Sequence, residues 1–156
     1  MAILMEKRGH AFYSKVAEQT ADPEIKHIFL TMADEENKHI KFLSEQYINY
    51  EKYHAFRKVE LTDLANEGFS TLILTEELKI KISSAGFEAA AISAAIEFEK
   101  KAVEVYSKHA ETASDANEKA LYKWLSDWEG GHLAILSRMD NELKEKIWND
   151  NQFWPF

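Results

Sequence analysis

The chain has 156 residues, 46% of them apolar and 12% aromatic, which is enough apolar side chain for one domain with a real core. A formal charge of −8, a pI near 5.3 and no clustering of Lys and Arg exclude a phosphate-binding surface for nucleic acid, and no apolar run approaches the ~20 residues that span a bilayer. The absence of cysteine excludes a disulfide scaffold, a thiolate nucleophile, cysteine-ligated zinc and an iron–sulfur centre on this chain, so any metal must be held by carboxylate and imidazole.

Five Gly, two Pro and long stretches rich in Ala, Glu, Lys and Leu predict an all-α fold. The first helix is expected over about Ala2 to Gln19, with Ile3, Glu6, Gly9, Phe12, Tyr13 and Val16 in one stripe. Few residues precede Glu6, so a frayed or shortened first turn is expected there. The charges that begin at Glu6 follow Met1 too closely for a signal peptide, and a cytoplasmic location is expected. Asp22, Pro23 and Glu24 supply a cap, a helix-compatible proline and a first-turn acid for a second helix ending near Asn49. Residues 50 to about 85 are too apolar for a loose linker and predict a packed crossover with one or two short helices. A third helix carries Phe87, Ala91, Ile92 and Ala95 ahead of Glu99, and a fourth starts at Asp115 with Glu118 three residues on, followed by Leu121, Trp124, Leu125, Trp128, Leu136 and Met139 at helical spacing. The short turns near 20–22 and 113–115 make two antiparallel hairpins. The aromatic tail 148–156 is expected to pack on its own bundle in preference to a subunit contact.

The chain aligns with itself, without a gap, at an offset of 93 residues: between positions 6 and 43 there are 13 identities in 38 positions. Glu6, Glu36 and His39 fall on Glu99, Glu129 and His132. One duplication of a helical hairpin predicts a four-helix bundle whose two halves face each other across a long crossover, in a single domain spanning residues 1–156. A Glu-x-x-His tetrad alone carries little, since a chain of this composition holds about one by chance. Glu24 with His27 and Glu51 with His54 fit the tetrad too, but their repeat partners are Asn117 with Ala120 and Lys144 with Ile147, so both are expected to be solvated surface. Glu36 with His39 and Glu129 with His132 stand apart because each recurs at the same place after another glutamate.

Residues three apart share a helix face, so each tetrad offers a carboxylate and an imidazole to one interior point, and Glu6 and Glu99 complete the shell from the facing helices. Four buried carboxylates repel strongly, whereas two divalent cations balance their charge and leave two neutral imidazoles as nitrogen donors. Oxygen-rich ligation with one nitrogen per cation suits iron or manganese better than a closed zinc site. The alternative is a set of acids inherited from a duplication that has lost its metal. Tyr13 and Tyr106 follow Glu6 and Glu99 by seven residues, where a phenol can bond a ligand carboxylate or simply fill core. Asp34 and Asp127 precede the tetrad glutamates by two residues and are candidates to orient a histidine on the neighbouring helix, solvated acids being the other reading. Gly130 and Gly131 sit inside the fourth helix at about 1 kcal/mol each relative to Ala, pointing to close helix approach or to room for a small oxidant. Trp124 and Trp128 read as core in preference to a redox relay.

The series Glu6-x-x-Gly9-x-x-Phe12-Tyr13, Asp34-x-Glu36-x-x-His39, Glu99 with Tyr106, and Asp127-x-Glu129-x-x-His132 resembles the rubrerythrin-like branch of the ferritin-like di-iron carboxylate proteins. The resemblance covers both hairpins and implies two irons per chain, bridged by Glu36 and Glu129, with Glu6 and Glu99 at the ends and one histidine on each iron. It also implies reduction of hydrogen peroxide or oxygen in a prokaryotic, often anaerobic setting, and a homodimer is expected. Full-length rubrerythrins append a rubredoxin domain that this chain lacks, so electrons are expected from a separate rubredoxin-type carrier. They also use a further third-helix carboxylate near the site, where this chain has Ala102, and the iron movement tied to that ligand is not expected here. Ferrous iron oxidation and storage, a manganese catalase and a metal-free helical interaction module are the rival readings.

Overall fold

The computed structural model describes residues 1–59 and 86–150. Four helices are present there: α1, Ala2–Gln19; α2, Pro23–Tyr53; α3, Gly86–Thr112; and α4, Ala116–Asp150. Of the crossover expected over 50 to about 85, residues 50–53 belong to α2, and residues 60–85, like the docking expected of the aromatic tail, lie outside what is described.

Each hairpin turns on an aspartate. Asp22 Oδ1 accepts from the backbone N–H of Glu24 at 2.8 Å and of Ile25 at 3.2 Å, and Asp115 Oδ1 accepts from Asn117 at 2.9 Å and Glu118 at 2.8 Å. Both satisfy donors that a helix start would otherwise leave unpaired. The first turn of α1 is closed, with Met1 O accepting from the N–H of Leu4 and Met5. The second helix runs one turn beyond the end expected from its apolar pattern. His54 caps it in the left-handed region at φ 52°, its N–H reaching Tyr50 O at 2.8 Å. The buried Gln46 side chain then donates to Arg57 O and accepts from Arg57 N, tying the outgoing chain back to the helix.

The helices pack as α1 on α2 and α3 on α4. In α2 the apolar positions recur with a seven-residue beat, Ile25, Met32, then His39 and Gln46, flanked by Ile28, Phe29, Phe42 and Leu43, all buried. Two apolar clusters result. One gathers Tyr13, Val16, Ile25, Ile28, Phe29, Met32, Ile92, Ile96, Leu136 and Met139; the other gathers Phe42, Leu43, Ala102, Tyr106, Leu121 and Leu125. Every helix contributes to both clusters or their margins, and Glu6, Glu35, Glu36, His39, Glu99, Glu129 and His132 fall between them. The order along each helix shows that α2 and α3 end at the same end of the bundle, so α3 begins at the opposite end from where α2 stops. A polar layer enclosed by apolar layers on both sides is thereby set at mid-bundle.

Gly130 and Gly131 do not serve close helix approach: a Cβ at either would meet nothing within 4 Å, and Gly131 is exposed. No described glycine has positive φ, so an alanine fits there without strain. Gly131→Ala is expected to stabilise the fold by about 1 kcal/mol through helix propensity alone. A thermal melt showing no gain would contradict this.

Candidate metal centre

Glu6 from α1, Glu36 and His39 from α2, Glu99 from α3, and Glu129 and His132 from α4 all point into the polar layer, each at most 2% exposed. Their donor atoms form two groups, Glu6, Glu36, His39 and Glu129 in one and Glu36, Glu99, Glu129 and His132 in the other, each lying within 4.8 Å. The two groups share Glu36 and Glu129. Glu129 divides its oxygens between the imidazoles, Oε1 at 3.1 Å from His39 Nδ1 and Oε2 at 3.1 Å from His132 Nδ1. Glu36 does the same at longer range, Oε2 at 3.9 Å from His39 Nδ1 and Oε1 at 3.8 Å from His132 Nδ1. The remaining carboxylates each serve one half: Glu6 Oε2 lies 2.9 Å from His39 Nδ1, and Glu99 Oε1 lies 3.5 Å from His132 Nδ1.

Such a layer is costly in isolation, since each buried carboxylate loses hydration worth several kcal/mol. Burial, followed by the neighbouring Glu129 and Glu6, pushes Glu36 well above the usual carboxylate range. Burial likewise raises Glu99 to about 7, against the opposing pull of His132. Glu129 moves the other way, because two imidazoles outweigh its burial. Burial alone would discharge His39, yet Glu129 and Glu6 hold it up to about 9, and carboxylates raise His132 in the same way. Protons and divalent cations compete for these same donor atoms. Glu36 Oε1, Glu99 Oε2 and both Glu129 oxygens are buried with no aligned hydrogen-bond donor among the described residues. Buried acceptors without donors are the pattern that a coordinated cation satisfies, so the donor set fits two divalent ions of the iron or manganese type.

The tyrosines hold the outer carboxylates, and they do so across the bundle. Tyr13 OH donates to Glu99 Oε1, and Tyr106 OH donates to Glu6 Oε1, a reciprocal pair that follows the 93-residue repeat. Burial and the adjacent carboxylates raise both phenols, so they remain proton donors. Gly9 is small for a local reason: a Cβ there would stand 3.0 Å from Glu36 Cδ, 3.2 Å from Glu36 Oε2 and 3.0 Å from Phe98 Cε1. Gly9→Ala is expected to displace the Glu36 carboxylate by a few tenths of an ångström and weaken metal binding roughly tenfold, while overpacking offsets the helix-propensity gain of about 1 kcal/mol. A metal titration beside a melting curve checks both parts.

The expected histidine orienters are not in the site. Asp34 is exposed, and Asp127 is exposed and paired with Lys123 at 2.6 Å, because a residue two positions before a core residue lies about 200° around the helix. Glu35 does this work instead. It is 1% exposed, and its Oε2 accepts from His132 Nε2 at 2.6 Å. Its signal in the sequence was its place in the apolar stripe, seven residues from both Ile28 and Phe42. Trp124 and Trp128 pack edge-on against the His39 ring at 5.6 and 5.1 Å, within the core as their spacing suggested. Glu24, His27, Glu51 and His54 are exposed.

Two repeated helical hairpins enclosing shared carboxylates and paired imidazoles define a ferritin-like four-helix bundle with a candidate dinuclear centre. The chain belongs to the rubrerythrin family, whose model, described as Rubrerythrin, matches residues 1–140; it is a ferritin-like di-iron family. No curated protein and no solved structure matches the chain. No helix among the described residues is long and apolar enough to cross a membrane.

Proposed function

We propose that the protein is a di-iron oxidoreductase that reduces hydrogen peroxide or oxygen with electrons delivered by a separate donor protein. The observation that carries this reading is the sharing of Glu36 and Glu129 between two compact donor groups, each with its own imidazole and its own outer carboxylate. In this reading Glu36 and Glu129 would be held in common by the two ions, Glu6 and Glu99 would each serve one, and His39 and His132 would each offer Nδ1 to one ion. When bound there, iron would supply electrons for O–O cleavage and positive charge to balance the carboxylates.

The chain's own residues do the positioning. Tyr13 and Tyr106 fix the outer carboxylates by hydrogen bonds, and the apolar clusters on either side of the layer limit water. A cavity of about 160 Å³ opens at the bundle end beside Ile3, Leu43 and Tyr122, where Ile3 is one turn from Glu6 and Leu43 one turn from His39. That space far exceeds the ~10–15 Å³ needed to admit a water-sized molecule, and none of the six candidate ligands lines it, so the apolar residues of this end stand between it and the polar layer. These 156 residues hold no cysteine for an electron-transfer iron, which is consistent with a separate carrier in this reading.

The test is rapid mixing of the reduced, iron-loaded protein with hydrogen peroxide. Each peroxide takes two electrons and two protons and leaves as two waters, so two irons are expected to be oxidised per peroxide, faster than with oxygen. Oxidation by oxygen alone, followed by accumulation of many irons per chain, would favour iron storage instead.

A further inference from the structure

The repeat makes the two halves of the layer nearly equivalent. Glu36 and Glu129 are shared, Glu6 mirrors Glu99, His39 mirrors His132, and the Tyr106 bond to Glu6 mirrors the Tyr13 bond to Glu99. Gly9 answers to Ala102 across the repeat, and one buried charged position breaks the equivalence. Glu35, whose carboxylate accepts from His132 Nε2 at 2.6 Å, has Trp128 as its counterpart at the same 93-residue offset. His39 Nε2 accordingly has no hydrogen-bond partner among the described residues and meets the indole of Trp128 edge-on at 5.1 Å and 88°. The Trp128 and Trp124 indole nitrogens are likewise without a partner there, so neither substitutes for a carboxylate.

A carboxylate behind a ligating imidazole fixes its tautomer and orientation and makes the other nitrogen a better donor. Glu35 does both for His132: with Nε2–H committed to Glu35, Nδ1 is left as a lone-pair donor facing Glu129 and Glu99. No such anchor sets the tautomer of His39, and no second negative charge stands behind it. We propose that the two metal subsites are unequal: the subsite of Glu99 and His132 binds its ion first and more tightly, and Glu35 is the positioning residue that makes it so. The subsite of Glu6 and His39 is the exchangeable one, and it is also the half that lies one turn from the bundle-end cavity. This inference rests on the dinuclear reading of the layer.

The experiment is a calorimetric titration of the chelator-stripped full chain with cobalt(II), with visible absorption reporting coordination. Two steps are expected in the parent, the first at least about tenfold tighter. Glu35→Gln keeps a hydrogen-bond acceptor but removes the charge; it is expected to weaken the first step by roughly 10- to 100-fold and draw the two steps together. His39→Gln is expected to retain the tight step and His132→Gln to lose it, a comparison that decides the order of filling even if the Glu35 variant folds poorly by circular dichroism. Two ions bound with equal affinity, a tight step that survives in His132→Gln, or unchanged steps in a folded Glu35→Gln would each overturn the inference while leaving the dinuclear centre standing. No cobalt bound by the parent would overturn both.

Discussion

Replacing Glu129 with Ala is expected to abolish binding of the second metal ion, dropping stoichiometry from two ions per chain to one or fewer. Glu129 is the residue on which both halves converge, with one oxygen 3.1 Å from each imidazole Nδ1. Truncation removes a donor from both groups at once and leaves His39 and His132 without the carboxylate that most strongly favours their charged forms. Glu36 lies further from both rings, so it cannot take over both contacts without moving. Elemental analysis of the variant and parent, purified side by side, checks this; retention of two tightly bound ions by Glu129→Ala would contradict the assignment of Glu129 as a bridge.

The second large effect is on stability against pH. Stripped of metal by chelation, the protein is expected to melt at progressively lower temperature as pH rises from about 5 to about 9. His39 is raised to about 9 from an ordinary 6.5, so its charged form stabilises the fold fully below 6.5, and that stabilisation is lost as pH rises through 9. Glu99 is raised to about 7 from 4.5; its raised value has the same sign, and its contribution fades between those limits as a buried carboxylate ionises. Glu36 and His132 shift in the same direction. Glu129 is lowered, so its contribution is present above its ordinary value of 4.5 and is lost only as pH falls further. Metal requires the deprotonated donors, so the rise in melting temperature on adding iron(II) or manganese(II) is expected to grow with pH over the same interval. At a hundredfold excess over the dissociation constant the gain is about 2.7 kcal/mol. Glu99→Gln is expected to flatten the part between 4.5 and 7. Melting curves at several pH values, with and without metal, measure all of this, and a metal-free melting temperature that is flat or climbs toward pH 9 would contradict it.

The parts of the site that were legible in the sequence are those the repeat copies. A 93-residue offset that preserves helix face puts Glu6, Glu36 and His39 in one half and Glu99, Glu129 and His132 in the other, and the coordinates bring these six together. The helix starts were legible because Asp22 and Asp115 are followed by acids and helix formers in the right order. What lies outside the repeat was harder to see. Glu35 has no acidic counterpart, so comparison of the halves hides it, and only its seven-residue spacing from Ile28 and Phe42 marks it as interior. Asp34 and Asp127 do recur, but recurrence alone does not give direction: two residues before the tetrad glutamate is the solvent side of the helix. Gly130 and Gly131 lie beside ligand positions in the sequence, yet a rotation of about 100° per residue carries them off the ligand face, where nothing packs on them. Gly9 is the glycine whose size the centre uses, because it alone among the described glycines faces a candidate ligand at 3.0 Å.

The most direct test of the central claim is metal content per chain, measured by elemental analysis on the parent protein after expression in medium replete with iron and manganese. Close to two ions of iron, or of manganese in its place, are expected per chain. A protein that folds with the expected helix content and holds none, even after anaerobic reconstitution with iron(II), would contradict it.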